Sequence, residues 1–418
     1  MGTFWSKWAS RRDFIFFIMT VIFFLFSFPV FEISRDKIYK IFQVNVVISI
    51  IVSIAYDFIQ YKHFIKFGYQ NPVLLYLLGV VTVIIVVLNN RSIKNIFVIC
   101  SIYSVMHFLL SVHYFPLVSG RSDMLEAIYL SIQQFMLGVS PYYKSNMEIG
   151  VPPYLPFTMI SFIPAYLLQI DFRFLGVVYW IISILLILYK FDKLSLEQKL
   201  ASSLLIVNPY FLMRHEIYFQ VFLLEIVILC LYVDSLKLRY KIIFAGVFIS
   251  TLQFAWILCP FILLSWSKSI RHLAINFILT IIVSVVITFV YIHNGVHDFL
   301  NAIFLHKEYS HSYSSDITFG LSTIFYFAKS QITLYVFQLS CCLIILLVAL
   351  YFYTIKQMRS PSFYTSLGAI CYMFFLSTNY FIETYLLIPM LLFVILSLTN
   401  AAKIQVEDLR SKVSSFKA

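Results

Sequence analysis

The chain predicts an all-α polytopic membrane protein of about 11–13 transmembrane helices, with an amphipathic helix in one external loop. Three observations carry that fold class. Of the 418 residues, 61% are hydrophobic and 12% charged, where soluble domains carry roughly 45–50% and about 25%. Apolar runs of about 17 residues or more recur along nearly the whole length, long enough to cross a bilayer as helices. Lys and Arg collect in the short segments between those runs, as the positive-inside rule arranges them. The formal net charge of +11 therefore points to membrane lipids and not to nucleic acid, because no soluble domain exists to carry such a site.

The apolar segments fall at about 14–33, 41–61, 73–89, 96–118, 154–170, 174–190, 200–212, 215–234, 242–266, 272–292, 331–355, 361–379 and 381–399. Lys7, Arg11 and Arg12 precede the first. It is too long for a signal-peptide core and lacks a small-residue cleavage site, so it reads as a retained span. Segment 200–212 is short and broken near its end by Asn208-Pro209, and 242–266 carries Pro260 and is expected to bend or split. The six cysteines all lie inside apolar runs and read as small buried hydrophobes. The whole chain, 1–418, reads as a single integral membrane domain. Its external loops are expected at 119–153 and 293–330, with a cytoplasmic tail at 400–418.

Orientation follows from the basic residues. Lys403, Arg410, Lys412 and Lys417 put the tail in the cytoplasm. Lys190, Lys193 and Lys199 mark one cytoplasmic turn, and Lys237, Arg239 and Lys241 another; Arg91 and Lys94 before segment 96–118 then send Asp123 to the outer face. Two consequences follow. With Lys241 and Lys268 both inside, 242–266 has to turn back or fail to cross; with Asp123 and Arg173 both outside, 154–170 has to hug the surface or re-enter. Counting back from Asp123 leaves Lys7, Arg11 and Arg12 outside, so the parity of the first 90 residues stays open.

Between the fourth and fifth segments lies the longest polar-rich interval in the first two-thirds of the chain, opening Gly120-Arg121-Ser122-Asp123-Met124-Leu125-Glu126. Leu125, Ile128, Ile132, Phe135 and Met136 recur at three- and four-residue steps, which predicts an amphipathic helix lying on the bilayer. Ser122 is the expected N-cap and Gly138 the expected stop. Asp123 and Glu126 then share the first turn. Carboxylates there are favoured by the helix dipole, at roughly 0.3–1 kcal/mol each, without any catalytic role. Ser140-Pro141-Tyr142 turns the chain after the helix, and Pro152-Pro153-Tyr154-Leu155-Pro156 leads it back into apolar sequence.

This pattern resembles the first external loop of GT-C membrane glycosyltransferases, in particular the bacterial polyprenyl-phosphate-mannose-dependent mannosyltransferases. Val207-Asn208-Pro209-Tyr210 with Arg214, His215 and Glu216 is similar to that group's central region. Lys241 to Pro260 is similar to the span after it, and Asn379 through Glu383, Tyr385 and Pro389 to the last outward turn. The likeness runs over about 96–400 through loose motifs. The chain departs from the pattern in having several apolar segments before Asp123, and Gln253 where a lysine is often found.

The resemblance implies a GT-C-like fold in a multi-pass protein of the bacterial inner (plasma) membrane, with its site on the outer face. It implies transfer of a sugar, mannose being one option, from a polyprenyl-phosphate donor to a lipid-linked or glycan acceptor. An alcohol needs a base as it attacks the anomeric carbon; Asp123 is the candidate, with Glu126 second. One base without a nucleophilic carboxylate implies inversion, by analogy with glycoside hydrolysis. A fixed cation stabilises the departing lipid phosphate, with Arg214 and His215 the first candidates and His306 and Lys307 the next. Arg121, Tyr142, Tyr154 and Glu383 are candidate substrate-binding residues, although interfacial tyrosines also serve as headgroup anchors.

No cofactor is expected. His293 and His297 stand four apart, but Gly295 lies between them and no further ligand has fixed spacing, so the loop reads as solvated and the site as metal-independent. Glu225 sits within an apolar span, where ionisable residues are costly and usually face a cavity; Asp57, near a span end, stands out less. The competing readings are an O-antigen or capsule polysaccharide polymerase, a lipid-linked-glycan transporter or flippase, and a non-catalytic subunit of a transferase complex. A transporter predicts internal repeats, and no convincing repeat is present.

Overall fold

A computed structural model of the chain describes residues 35–64, 70–89, 92–115, 123–143, 155–194, 196–207, 219–251, 255–267 and 269–304, with isolated positions between 340 and 351. Among these residues there is no strand. The helices are α1 (Arg35–Phe64), α2 (Val73–Leu88), α3 (Ile93–Tyr114), α4 (Asp123–Met136), α5 (Pro156–Ile160) and α6 (Ile163–Leu167). They continue with α7 (Phe172–Lys190), α8 (Leu196–Ile206), α9 (Phe219–Leu231), α10 (Leu238–Thr251), α11 (Ala255–Trp266), α12 (Ile270–Ile292) and α13 (Val296–Phe304). Single 3-10 turns at Phe191–Lys193 and Val233–Ser235 follow α7 and α9.

The chain divides into two compact units. One comprises 1–32, 260–267 and 306–418, of which the described part is the end of α11 and a few residues near 340–351. The other comprises 33–259 and 268–305 and holds every other helix. The expected segments 14–33, 361–379 and 381–399 and the tail 400–418 lie outside the described residues.

Within the larger unit, side chains at the helix ends fix the direction of each helix. Tyr39 Oη and Gln43 Nε2 near the start of α1 each donate to Asn89 O, 2.9 Å away, just past the end of α2. These two helices are therefore antiparallel, and α3 starts at the same end after a short turn capped by Ser92, whose Oγ accepts from Asn95 N. Lys94 Nζ bonds Asp192 Oδ2 at 2.7 Å. At the far end the buried Arg173 donates through Nη1 to Phe115 O and through Nη2 to Val112 O at 3.4 Å. So α3 and α7 run antiparallel along their full lengths, roughly 33 Å for the 22 residues of α3. Lys190 Nζ donates to Leu231 O at 2.9 Å, and Tyr232 Oη to Leu186 O at 2.7 Å. Hence α7 and α9 finish side by side, and Lys94, Lys190 and the Lys237–Lys241 run gather at one end.

Near its close α10 meets α5 through Thr158 and Thr251, as α12 does through the Tyr291, Ser131 and Met159 cluster; α10 and α12 therefore run parallel. Their crossing depends on a small residue, since a Cβ on Gly246 would lie 2.5 Å from Val283 Cγ1. Beside it Ser250 Oγ and Ser284 Oγ are 2.8 Å apart. Close backbone approach over small residues, tied by hydroxyls, is how helices associate in lipid, where burial alone gives little drive.

Among the described residues, three helical stretches are long and apolar enough to cross a membrane: Ile93–Tyr114, Phe172–Lys193 and Ile270–Ile292. The outward faces are apolar too. Leu77, Val81 and Ile84 on α2 and Ile278, Val285 and Phe289 on α12 are all exposed. A face of that kind is stable against hydrocarbon and not against water. Segment 242–266 is split, as α10 and α11, but the division falls after Thr251 and Pro260 lies inside α11. Segment 154–170 is two five-residue helices, α5 and α6, each with Pro in its first turn.

Candidate functional site

Because α3 ends and α7 begins beside Arg173, the chain between them leaves and returns at the end opposite the lysines. α4, α5 and α6 all belong to this excursion. Asp171 takes the other donors of Arg173, Nε at 3.0 Å and Nη2 at 2.6 Å to Oδ2, and its Oδ1 also accepts the backbone N–H of Arg173. The guanidinium is thus paired with an N-cap carboxylate and bonded through Nε, Nη1 and Nη2, which is how a cation can be 3% exposed.

α4 is the amphipathic helix the sequence predicts. Leu125, Ile128 and Ile132 are buried on its inner face, while Tyr129 and Met136 are exposed. Its end is set by Gly138 at φ +73°. Gly138 N–H donates to Phe135 O and Val139 N–H to Gln134 O, both at 3.0 Å, the paired bonds of a Schellman motif around a left-handed residue. The expected cap Ser122 lies outside the described residues.

The turn after α4 is pinned from two sides. Ser131 Oγ donates to Pro141 O at 2.9 Å, lies 2.8 Å from Met159 Sδ of α5, and stands 3.2 Å from Tyr291 Oη at the end of α12. Phe135 stacks on Tyr291 with centroids 4.6 Å apart. Asn294 Nδ2 donates to Gly138 O at 3.0 Å. The approach of the two turns is so close that a Cβ on Gly295 would sit 2.3 Å from Ser140 Cβ. Two loops more than 150 residues apart thereby form one rigid corner, from which α4 projects back to Asp123.

Of the candidate residues, Asp123 is the first residue of α4 and Glu126, half-buried, sits in the same turn. Tyr142 is 1% exposed with its ring edge-on to Phe299 at 5.1 Å. Burial, with Tyr291 nearby, pushes its phenol well above the ordinary tyrosine range. It is a protonated packing group whose ring offers no open face to a sugar. Arg121, Tyr154, Arg214, His215, His306, Lys307 and Glu383 lie outside the described residues. His293 Nδ1 bonds Val290 O at 3.0 Å, and His297 Nδ1 accepts from Asn301 Nδ2 at 3.0 Å. Among the described residues no three His, Cys, Asp or Glu side chains converge as metal ligands.

Two polar clusters lie inside the helix packing. Glu225 on α9 accepts the Thr251 hydroxyl at Oε1, 2.6 Å, and the Thr251 carbonyl accepts the Thr158 hydroxyl of α5. This chain ties α5 to α9 and α10. Glu225 is buried, and its Oε2 has no partner among the described residues. The second cluster is one the sequence reading passed over. Asp57 of α1 and His107 of α3 are 2.8 Å apart, both buried, and Ser111 Oγ approaches the other ring nitrogen at 3.4 Å. The available signal was a polar stripe at helical spacing, Ser49-Ser53-Asp57 on α1 facing Ser104-His107-Ser111 on α3, every member buried. Trp180 Nε1 of α7 extends it by donating to Ser104 Oγ at 2.8 Å. Each hydrogen-bond chain satisfies groups that lipid could not.

Compared with protein-family models, curated proteins and solved structures, the chain has no match.

Proposed function

We propose that this chain is a membrane glycosyltransferase of GT-C type that moves a sugar from a polyprenyl phosphate to a lipid-linked or glycan acceptor on the outer face of a membrane. The observation that carries this proposal is the excursion from Phe115 to Asp171. It starts and ends opposite the lysine-rich end, and it holds an amphipathic helix, opening with two carboxylates, against a corner built from Gly138 and Gly295. Under the positive-inside rule the lysine-rich end faces the cytoplasm and Asp123 faces outward, where lipid-linked sugars are consumed.

In this proposal Asp123 takes the proton of the acceptor hydroxyl as its oxygen bonds to the anomeric carbon. The bond from that carbon to the phosphate oxygen breaks, polyprenyl phosphate leaves with the electron pair, and the configuration inverts. Glu126 is the alternate base. Arg214 and His215, then His306 and Lys307, are the candidate cations for the leaving phosphate; Arg121, Tyr154 and Glu383 are assigned to substrate. No metal ion or other cofactor has a role.

The test is sugar transfer by the full chain in vesicles, from a labelled polyprenyl-phosphate sugar to an acceptor lipid. Transfer that survives chelation and falls about 10²–10⁴-fold in Asp123→Asn is expected, the range for losing a general base. No transfer by wild type from any polyprenyl-phosphate hexose would refute the proposal.

A further inference from the structure

The connections 190–199 and 232–241 meet at one end of the larger unit. Lys190 lies 4.5 Å over the Tyr232 ring while its Nζ bonds Leu231 O at 2.9 Å, which sets the end of α7 against the end of α9. Together the two connections carry six basic residues, Lys190, Lys193, Lys199, Lys237, Arg239 and Lys241, against three acidic ones, Asp192, Glu197 and Asp234. Asp192 is already taken by Lys94 at 2.7 Å. Lys193, Lys237 and Arg239 are exposed, and neither Lys193 nor Lys237 has an acidic partner among the described residues. The other end has the opposite balance. Its charges with described side chains are Glu126, Asp171, Asp298 and Arg173, and the last is bonded to Asp171.

Sequence separation makes this asymmetry a property of the fold, since the two connections are brought together only by the α7–α9 pairing. The surroundings decide what the patch meets. Directly beside the cations the unit turns apolar on its outside, with Leu185 and Val178 exposed along α7 and Ile243 along α10. At the boundary stand Tyr240, with Arg239 4.7 Å over its ring, and Tyr232 beneath Lys190. A soluble acidic partner would need the cations alone. Cations, then aromatic rings, then exposed aliphatic side chains match a lipid leaflet taken in order from headgroup to hydrocarbon.

We infer that the paired turns 190–199 and 232–241 are a docking surface for anionic phospholipid headgroups. This does not depend on the transfer chemistry above.

The experiment uses the full chain in neutral detergent, titrated with phosphatidylglycerol or phosphatidylcholine of identical acyl chains. Bound lipid is read by native mass spectrometry and unfolding by thermal shift. Wild type should retain phosphatidylglycerol in preference to phosphatidylcholine. The combined variant Lys193→Gln, Lys237→Gln, Arg239→Gln should lose roughly a hundredfold in that preference, about fivefold per cation, while unfolding like wild type in phosphatidylcholine. Should the combined variant fail to fold, Lys193→Gln and Lys237→Gln are read singly. Equal retention of both lipids by wild type, or an unchanged preference in the variants, overturns the inference. So does stabilisation by free glycerol phosphate equal to that by the lipid, which would assign the patch to a soluble phosphate.

Discussion

Asp57 Oδ2 and His107 Nε2 lie 2.8 Å apart at the contact of α1 with α3, joining residues 50 positions apart inside an otherwise apolar packing. Removing one member leaves the other buried without its partner, which typically costs about 1–3 kcal/mol. His107→Leu is expected to destabilise the protein by that amount. Adding Asp57→Leu should recover part of the loss, because no buried polar group is then left without its partner. Unfolding in detergent measures both, and a His107→Leu effect within about 0.5 kcal/mol, the range of ordinary surface substitutions, would mean the pair does not hold these helices.

The corner that supports α4 depends on two glycines for different reasons. At Gly138 nothing lies within 4 Å of an added Cβ, so only the positive φ matters. Gly138→Ala should cost about 1–2 kcal/mol. At Gly295 the obstacle is Ser140, whose Cβ and Oγ would be 2.3 Å and 1.9 Å from the new atom. Gly295→Ala should cost about 1–3 kcal/mol as overpacking and be rescued by Ser140→Gly, whereas Ser140→Gly should not rescue Gly138→Ala. That cross-pattern, read by thermal unfolding, separates the two causes.

Thr251→Val keeps the shape of the side chain and removes the hydroxyl that Glu225 Oε1 accepts at 2.6 Å. With Oε2 also unpartnered among the described residues, the buried carboxyl group is left bare. A loss of about 1–3 kcal/mol is expected, larger than that of Ser183→Ala, whose hydroxyl bonds only its own helix. Equal losses from both would show that Glu225 gains nothing from Thr251.

Arg173→Lys tests the junction that returns the excursion to the finishing end of α3. A lysine cannot reproduce the two-pronged bond to Asp171 and still reach Phe115 O. The substitution should behave as a lost buried network, destabilising by about 1–3 kcal/mol. It should also raise protease cleavage between residues 116 and 171 over cleavage elsewhere. Unchanged cleavage there would separate Arg173 from the placement of α4.

The long helices α3, α7 and α12 were legible because each is one unbroken apolar run, and so was α4, whose apolar positions keep helical spacing up to Gly138. That 154–170 would not be a plain span and that 242–266 would split was legible, and each is two helices. The position of the second break was not. Pro260 suggested it, yet α10 ends at Thr251 and Pro260 lies within α11. Asp57 and His107 could not be paired from sequence, since nothing local to either span encodes a partner on another helix. Gly295 gave no sign of its role for the same reason: its constraint is the Ser140 turn, which arrives from far along the chain.

The most direct measurement on the proposed function is mass spectrometry of lipid-linked glycans from cells lacking the protein, complemented with wild type or with Asp123→Asn. An acceptor short by one sugar should accumulate in the null and in the Asp123→Asn strain and disappear with wild type. Accumulation of single complete repeat units would assign the chain to polymerisation instead, and full rescue by Asp123→Asn would contradict the role given to that carboxylate.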